Sequence, residues 1–329
     1  MRKESSLRVF LLLLAVMVAA APAPGRVKAV SSVDRPVVLA FGGDVHFEGR
    51  LSGVGSLVSM AALLRADFSV VNFETSVGRG GSPEGKTYVF RAEGRHVRAL
   101  VDAGVDAVAV ANNHFFDYGA ASAMDGLRVL ERAGLPSAGS GVDLSGAVTP
   151  VVLGADPGRQ VALFSVTTRE PFSGFGADHW VAGEGKPGLL FWESHRRPLL
   201  RAIARERAAG RHPVVMVHWG RELGACPTAL QRLVGRALVD AGAVAVVGTH
   251  PHVLGPVEVY RGAVLAYSLG NFVWYHRRPA ETAALVVSVD SSGVATHRVR
   301  PALIGFDGVP RRVHGEVAER IVAMTNRVC

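Results

Sequence analysis

The chain is poor in cysteine: Cys226 and Cys329 are the only two in 329 residues. That excludes a thiolate zinc site and a disulfide-built scaffold, so any metal must be held by His, Asp, Glu and Asn. The two cysteines lie far apart and form no framework. Ordinary thiols are the favoured reading, although an exported chain could pair them. Lysine is also scarce. Arginine carries most of the positive charge and is scattered, with no basic run to track a nucleic-acid backbone, which argues against nucleic acid as a partner.

The apolar run from about Val9 to Ala21 is too short for a comfortable membrane span. It follows Arg2, Lys3 and Arg8 and suits the core of a secretory signal, with "VKA" before Val30 as the small-residue cleavage site. No cysteine follows it, which argues against lipid attachment. The expectation is a signal peptide over residues 1–29, an exported or envelope-associated product and a mature domain over 30–329. An uncleaved N-terminal anchor is the alternative. Residues 1–29 hold five Lys/Arg and one Glu, so half of the formal charge of +8 leaves with them.

What is present is an alternation. Short β-branched runs such as "RPVVLAFGGDVH", "DFSVVNFETS", "VDAVAVANNH", "HPVVMVHWGREL" and "AVAVVGTHPH" are separated by helix-like segments such as "ASAMDGLRVLERAG" and "RRPLLRAIARERAAG". That pattern predicts an α/β fold with helix-covered sheets. The tail, "TAALVVSVDSSGVATHRVRPALI", predicts an antiparallel β-meander turning at "SSG". The stretch "GRGGSPEGKTYVFRAEG" is Gly-rich but lacks the phosphate-loop pattern and reads as a surface excursion.

The polar residues fall at the strand ends. Asp44 and His46, Glu74, Asn112 to His114, His218, and His250 with His252 each close a predicted strand. In open α/β sheets that edge is where sites are built. Each has a bland reading as a turn former, helix cap or core histidine. Together they offer a His and carboxylate ligand set suited to Zn, Mn, Fe or Co rather than Ca or Mg.

The segments "GGDVH", "VNFE", "ANNHFFDYG", "VHWGRE", "GTHPHVLGPVEVY" and "AYSLGNFVW", running from about Val37 to Phe272, resemble the CapA family of poly-γ-glutamate capsule synthesis. That family is similar to the calcineurin-like metallophosphoesterases, which implies an α-β-β-α sandwich holding two divalent transition-metal ions. By this resemblance Asp44, His46 and His252 would hold one metal, Asn113, His218 and His250 the other, and Glu74 would bridge them. His114 would act as an acid or charge stabiliser. Asn112, Asp117, Glu222 and Trp219 would lie behind the ligands, with Asp117 and Glu222 orienting histidines and Trp219 walling off water. Ser268 and Asn271 belong to the same signatures, in a loop packed against the site. Glu74 stands where the phosphoesterases carry Asp. The implied function is a two-metal hydrolase acting on phosphoester or γ-glutamyl bonds. The alternative is a non-catalytic component that binds an anionic capsule polymer beside membrane-bound synthesis proteins, using loop arginines such as Arg277 and Arg278.

Overall fold

The computed structural model describes residues 35–329 apart from 55, 173–175 and 276–279. The segment read as a signal peptide, and Arg277 and Arg278, lie outside the described residues. The first half alternates strands and helices: β1 (Val37–Val45), α1 (Val58–Leu64), β2 (Phe68–Phe73), α2 (Gly94–Asp102), β3 (Ala107–Ala109), α3 (Gly119–Arg132) and β4 (Ser137–Ala138). A short section follows, with β5 (Ser140–Gly141), α4 (Leu144–Val148) and β6 (Val151–Leu153). The second half resumes with β7 (Val161–Thr167), β8 (Gly188–Leu189), α5 (Trp192–Ala208), β9 (His212–His218), α6 (Ala229–Asp240), β10 (Ala245–Thr249), β11 (Val257–Tyr260) and β12 (Ala263–Ala266). The tail is β13 (Asn271–Val273), β14 (Glu281–Val289), β15 (Ala295–Ile304), β16 (Pro310–Arg312) and α7 (Gly315–Thr325).

Two large sheets result. The first has the order β16-β15-β14-β1-β2-β3-β4, with β13 also paired to β1; the second has the order β11-β12-β10-β9-β7-β6. In the first sheet β1 to β4 run parallel and β14 to β16 pair antiparallel beside them; in the second β12, β10, β9 and β7 are parallel, with β11 and β6 antiparallel at the edges.

Period-two alternation explains why these strands are apolar throughout. Leu39, Phe41, Val70, Ala107 and Ala109 of the first sheet meet Leu163, Val214, Met216, Ala245 and Val247 of the second in a shared inner core. The residues between them point outward. Ala40, Val71 and Val108 pack with Met60, Leu63, Val97, Leu100 and Leu130 of α1, α2 and α3. Phe164, Val215, Val217 and Val246 pack with Leu199, Ile203, Val234 and Leu238 of α5 and α6. Both faces of each sheet are therefore covered, giving an α-β-β-α sandwich. Each fully buried Leu or Val contributes roughly 1.5–3 kcal/mol.

The meander β14-β15-β16 is antiparallel as the tail predicted. Its first turn is held by Asp290, whose carboxylate accepts the Ser292 and Val294 N–H groups. The thiol reading is corrected: Cys226 and Cys329 form a disulfide. The cause is α7, a helix the tail pattern did not reveal, which packs on β15 and β14 and returns the C-terminus to the loop after β9. There Arg327 donates to the Ala225 carbonyl and Arg232 to that of Cys329. No helix among the described residues is long and apolar enough to cross a membrane.

Candidate metal centre

The C-terminal ends of the parallel strands of both sheets converge on one edge. On β1 a register shift between Phe41 and Asp44 sets Asp44 opposite Asn72 of β2 and Asn271 of β13. Gly43 is required there, because a Cβ would meet the Gly270 carbonyl. β2 delivers Glu74 one residue past its end. After β3, Asn112 builds the turn: its Oδ1 accepts the N–H of His114 (3.0 Å) and Phe115 (2.9 Å), and its Nδ2 donates to the Phe73 carbonyl (2.9 Å). The second sheet supplies His218 at the end of β9 and His250-Pro251-His252 after β10.

His250 and His252 both have positive φ, 93° and 59°. For residues with a Cβ this costs on the order of 1–3 kcal/mol each and persists only where the surroundings impose it. The Leu223 N–H binds the Pro251 carbonyl (2.8 Å), and the His250 N–H binds Asp44 Oδ2 (3.2 Å). The double inversion turns both rings toward the strand ends. The His250 ring lies 4.8 Å from that of His218 and 5.6 Å from that of His252.

Ligand atoms of Glu74, His218 and His250 lie within 4.8 Å of one another, and so do those of Asp44, Glu74 and His252. Glu74 belongs to both groups. Asn113 Oδ1 is 2.8 Å from His218 Nε2, on the first group's side. His46 is buried among Phe90, Trp274 and Tyr275, with ring centroids 4.5, 4.2 and 4.5 Å away, and its Nδ1 accepts the Glu48 N–H. His114 Nδ1 is 2.7 Å from Asp117 Oδ2, and its Nε2 is 4.0 Å from Glu74 Oε1.

The electrostatics fit a bound cation. Glu74 is fully buried, and no N–H or hydroxyl donor reaches either of its oxygens; His250 Nδ1 is likewise buried without a hydrogen-bond partner. Burial, reinforced by the Asp44 carboxylate, pushes Glu74 well above the usual carboxylate range. Burial also pulls His114, His218 and His250 well below the ordinary histidine value, leaving neutral imidazoles able to ligate. A carboxylate buried beside Asp44 and neutral imidazoles, with Lys86 as the nearby cation, is a site that a divalent metal of the imidazole-preferring kind would fit. Burial raises Asp117 to about 7, against the opposing pull of Lys86.

The remaining residues sort by contact. Asn271 Oδ1 lies 2.9 Å from His252 Nδ1, and Ser268 Oγ donates to the Val253 carbonyl (2.7 Å), so the "YSLGNF" loop braces the His250–His252 turn. Glu222 is exposed at the rim of a cavity of about 310 Å³, lined also by Glu170, Arg221 and His250. Trp219 sits in the outer core with Val234 and Leu238 of α6, its Nε1 donating to the Tyr267 carbonyl (2.9 Å).

Several residues that sequence reasoning gave no site role contact the centre, among them Phe90 and Tyr275 beside His46, and three polar ones. Asn72 Nδ2 reaches Asp44 Oδ1 and His218 Nδ1, Thr249 Oγ1 lies 3.1 Å from the same His218 nitrogen, and Lys86 bonds the Asn113 carbonyl. Asn72 and Thr249 stand at strand ends like the ligands, which was a usable signal. Lys86 comes from the Gly-rich stretch read as a surface excursion, and this corrects that reading: the loop enters the site.

Comparison with known proteins agrees with this geometry. Residues 38–276 match the family model described as bacterial capsule synthesis protein PGA_cap. The chain is similar to the PGA biosynthesis protein CapA of Bacillus subtilis, 31% identical over 89% of this chain and 78% of that protein. It is also similar to the capsule biosynthesis protein CapA of Bacillus anthracis, 31% identical over 76% of this chain and 61% of that one. A probable polyglutamine synthesis accessory protein of Mycobacterium tuberculosis is 28% identical over 67% of this chain and 58% of its own length. The matched region spans the two sheets from β1 to β13 and every residue of the centre, and the chain belongs to the bacterial capsule synthesis family PGA_cap.

Proposed function

We propose that this is an exported CapA-like protein of poly-γ-glutamate-type capsule synthesis whose centre is a two-metal hydrolase site for phosphoester or γ-glutamyl bonds. The observation that carries the reading is the Glu74 carboxylate, buried without donors and shared by the two ligand groups. Asp44, His46, Glu74 and His252 would hold one metal, and Glu74, Asn113, His218 and His250 the other. When bound, such a pair activates water and neutralises charge on the substrate oxygens.

The protein's own groups do the rest. Thr249 Oγ1 can accept the Nδ1–H of His218, leaving the Nε2 lone pair toward Asn113 and Glu74, with the Asn72 amide packed beside the ring. Asn271 holds His252 by its Nδ1. His114, with Nδ1 engaged by Asp117, turns Nε2 toward Glu74, so its role as acid or charge stabiliser would require Nε2 first to take up a proton from the attacking water. Phe90, Trp274 and Tyr275 exclude water from the His46 side. The Cys226–Cys329 disulfide supports export, since such bonds persist in oxidising compartments.

The test is elemental analysis of protein purified without chelators, beside His250→Ala. Close to two transition-metal ions, sharply reduced in the variant, together with turnover of a phosphoester or γ-glutamyl substrate, is expected. Little metal in either protein, not restored by added Mn or Zn, would refute the hydrolase.

A further inference from the structure

We propose that Lys86 is a positioning residue that sets the tautomer and orientation of His114 by holding Asp117 and the Asn113 carbonyl; its catalytic meaning rests on the hydrolase reading above. Lys86 arrives from a loop that crosses the mouth of the first sheet, and its side chain is only 7% exposed. Its Nζ lies 2.5 Å from Asp117 Oδ1, bonds the Asn113 carbonyl and stands 3.3 Å from His114 Nδ1. The face of the Trp180 ring lies beneath it, 5.5 Å away.

The geometry chooses between two arrangements. An ammonium has three donors and no acceptor. If Lys86 donated to His114 Nδ1, the ring proton would sit on Nε2, which faces Glu74. If His114 Nδ1–H donates to Asp117 instead, Nε2 carries the lone pair. The Asp117 Oδ2 contact is 2.7 Å and the Lys86 contact 3.3 Å, and Asp117 meets donors at both oxygens, Lys86 Nζ at Oδ1 and the Phe90 N–H at Oδ2, so it accepts from His114 rather than donating to it. The Nδ1–H arrangement therefore holds, and Lys86 secures it by fixing the carboxylate that accepts the proton's hydrogen bond.

The rest of the loop works to the same end. Phe90 donates its N–H to Asp117 Oδ2 (2.6 Å) and stacks its ring on His114, centroids 4.1 Å apart. The Glu84 N–H binds the Asp117 carbonyl (2.8 Å). One loop thus grips both the face of the His114 ring and the residue behind it. His114 lies in a turn ahead of α3, with no helix of its own to restrain it, so the loop supplies that restraint.

The test uses the full chain labelled with ¹⁵N-histidine, zinc-loaded and again after chelation, with His114 assigned by His114→Gln. In the wild type the ring nitrogens should report protonated Nδ1. In Lys86→Met they should report mixed tautomers, while metal content stays at the wild-type level. Lys86→Gln keeps a donor for the Asn113 carbonyl, guards against a folding defect and should give the same mixture; Lys86→Arg should restore the wild-type pattern. With a turned-over substrate, kcat should fall about 10–100-fold with KM little changed. Unaltered His114 nitrogen shifts in a folded Lys86→Met or Lys86→Gln protein would overturn the proposal. Because the tautomer is read without substrate, a failure of the hydrolase reading leaves this outcome separately decided.

Discussion

The side-chain amide of Asn72 lies 2.8 Å from Asp44 Oδ1 and 3.2 Å from His218 Nδ1. Asp44 belongs to the first sheet and His218 to the second, so a single buried NH₂ group lies between the two at the centre. Asn72→Ala should weaken metal binding about 10–100-fold while the chain still folds, because orienting partners behind ligands carry that much. A metal titration with a competing chelator checks it, and an unchanged affinity would remove Asn72 from the site.

Glu74 is expected to be a burden until metal is present. Its carboxyl group is buried beside Asp44 with no donor, and burial holds it toward the neutral form. In chelated protein Glu74→Gln should raise stability by about 1–3 kcal/mol, the order of the cost of an unsatisfied buried group. The same variant should lose most of the stabilisation that added metal gives the wild type. Thermal melts with and without Zn decide the matter, and equal metal-induced shifts in both proteins would contradict it.

Two histidines outside the candidate ligand set should make stability fall in acid. His96 Nδ1 accepts the Glu93 N–H (3.0 Å) while Nε2 lies 3.0 Å from the Ser52 carbonyl; His195 does the same with Phe191 (3.0 Å) and Ala182 (3.1 Å). A nitrogen used as an acceptor cannot carry a proton, and burial pulls both groups below the ordinary value. The unfolded chain takes protons near pH 6.5, before the folded one does. Stability is therefore full above about pH 6.5 and is lost as pH falls toward the lower folded values. Urea midpoints between pH 7 and 5 should drop less in His96→Gln and His195→Gln than in the wild type; identical slopes would exclude both as sources.

The disulfide should matter to the whole chain. Cys226→Ser with Cys329→Ser is expected to lose about 2–5 kcal/mol, since the cross-link closes a long loop. Denaturant unfolding with and without reductant measures it. Reductant should lower the wild-type midpoint and leave the double variant unmoved.

Much of the fold was legible because alternation and strand-end polarity are local signals. The runs at β1, β2, β9 and β10 announced buried strands, and Asp44, Glu74, His218 and His250 marked where they stopped. The pairing of Cys226 with Cys329 was not legible, since it depends on α7 folding back across β15, and no spacing in the sequence encodes that return. Lys86 was hidden for another reason. Its loop is Gly-rich and polar like any surface segment, and only its three-point docking on Asp117 shows that it points inward. The φ inversions at His250 and His252 were likewise beyond a reading that saw only the stiffness of Pro251.

The pairing of β1 with β14 sets Val37 opposite Val289. The first strand made thus waits for one of the last before its sheet is complete, and closing so long a loop is slow. Until then Val37 to Phe41 form an open sheet edge. Such an unpaired apolar edge is the part of an incomplete chain most exposed to pairing with another strand.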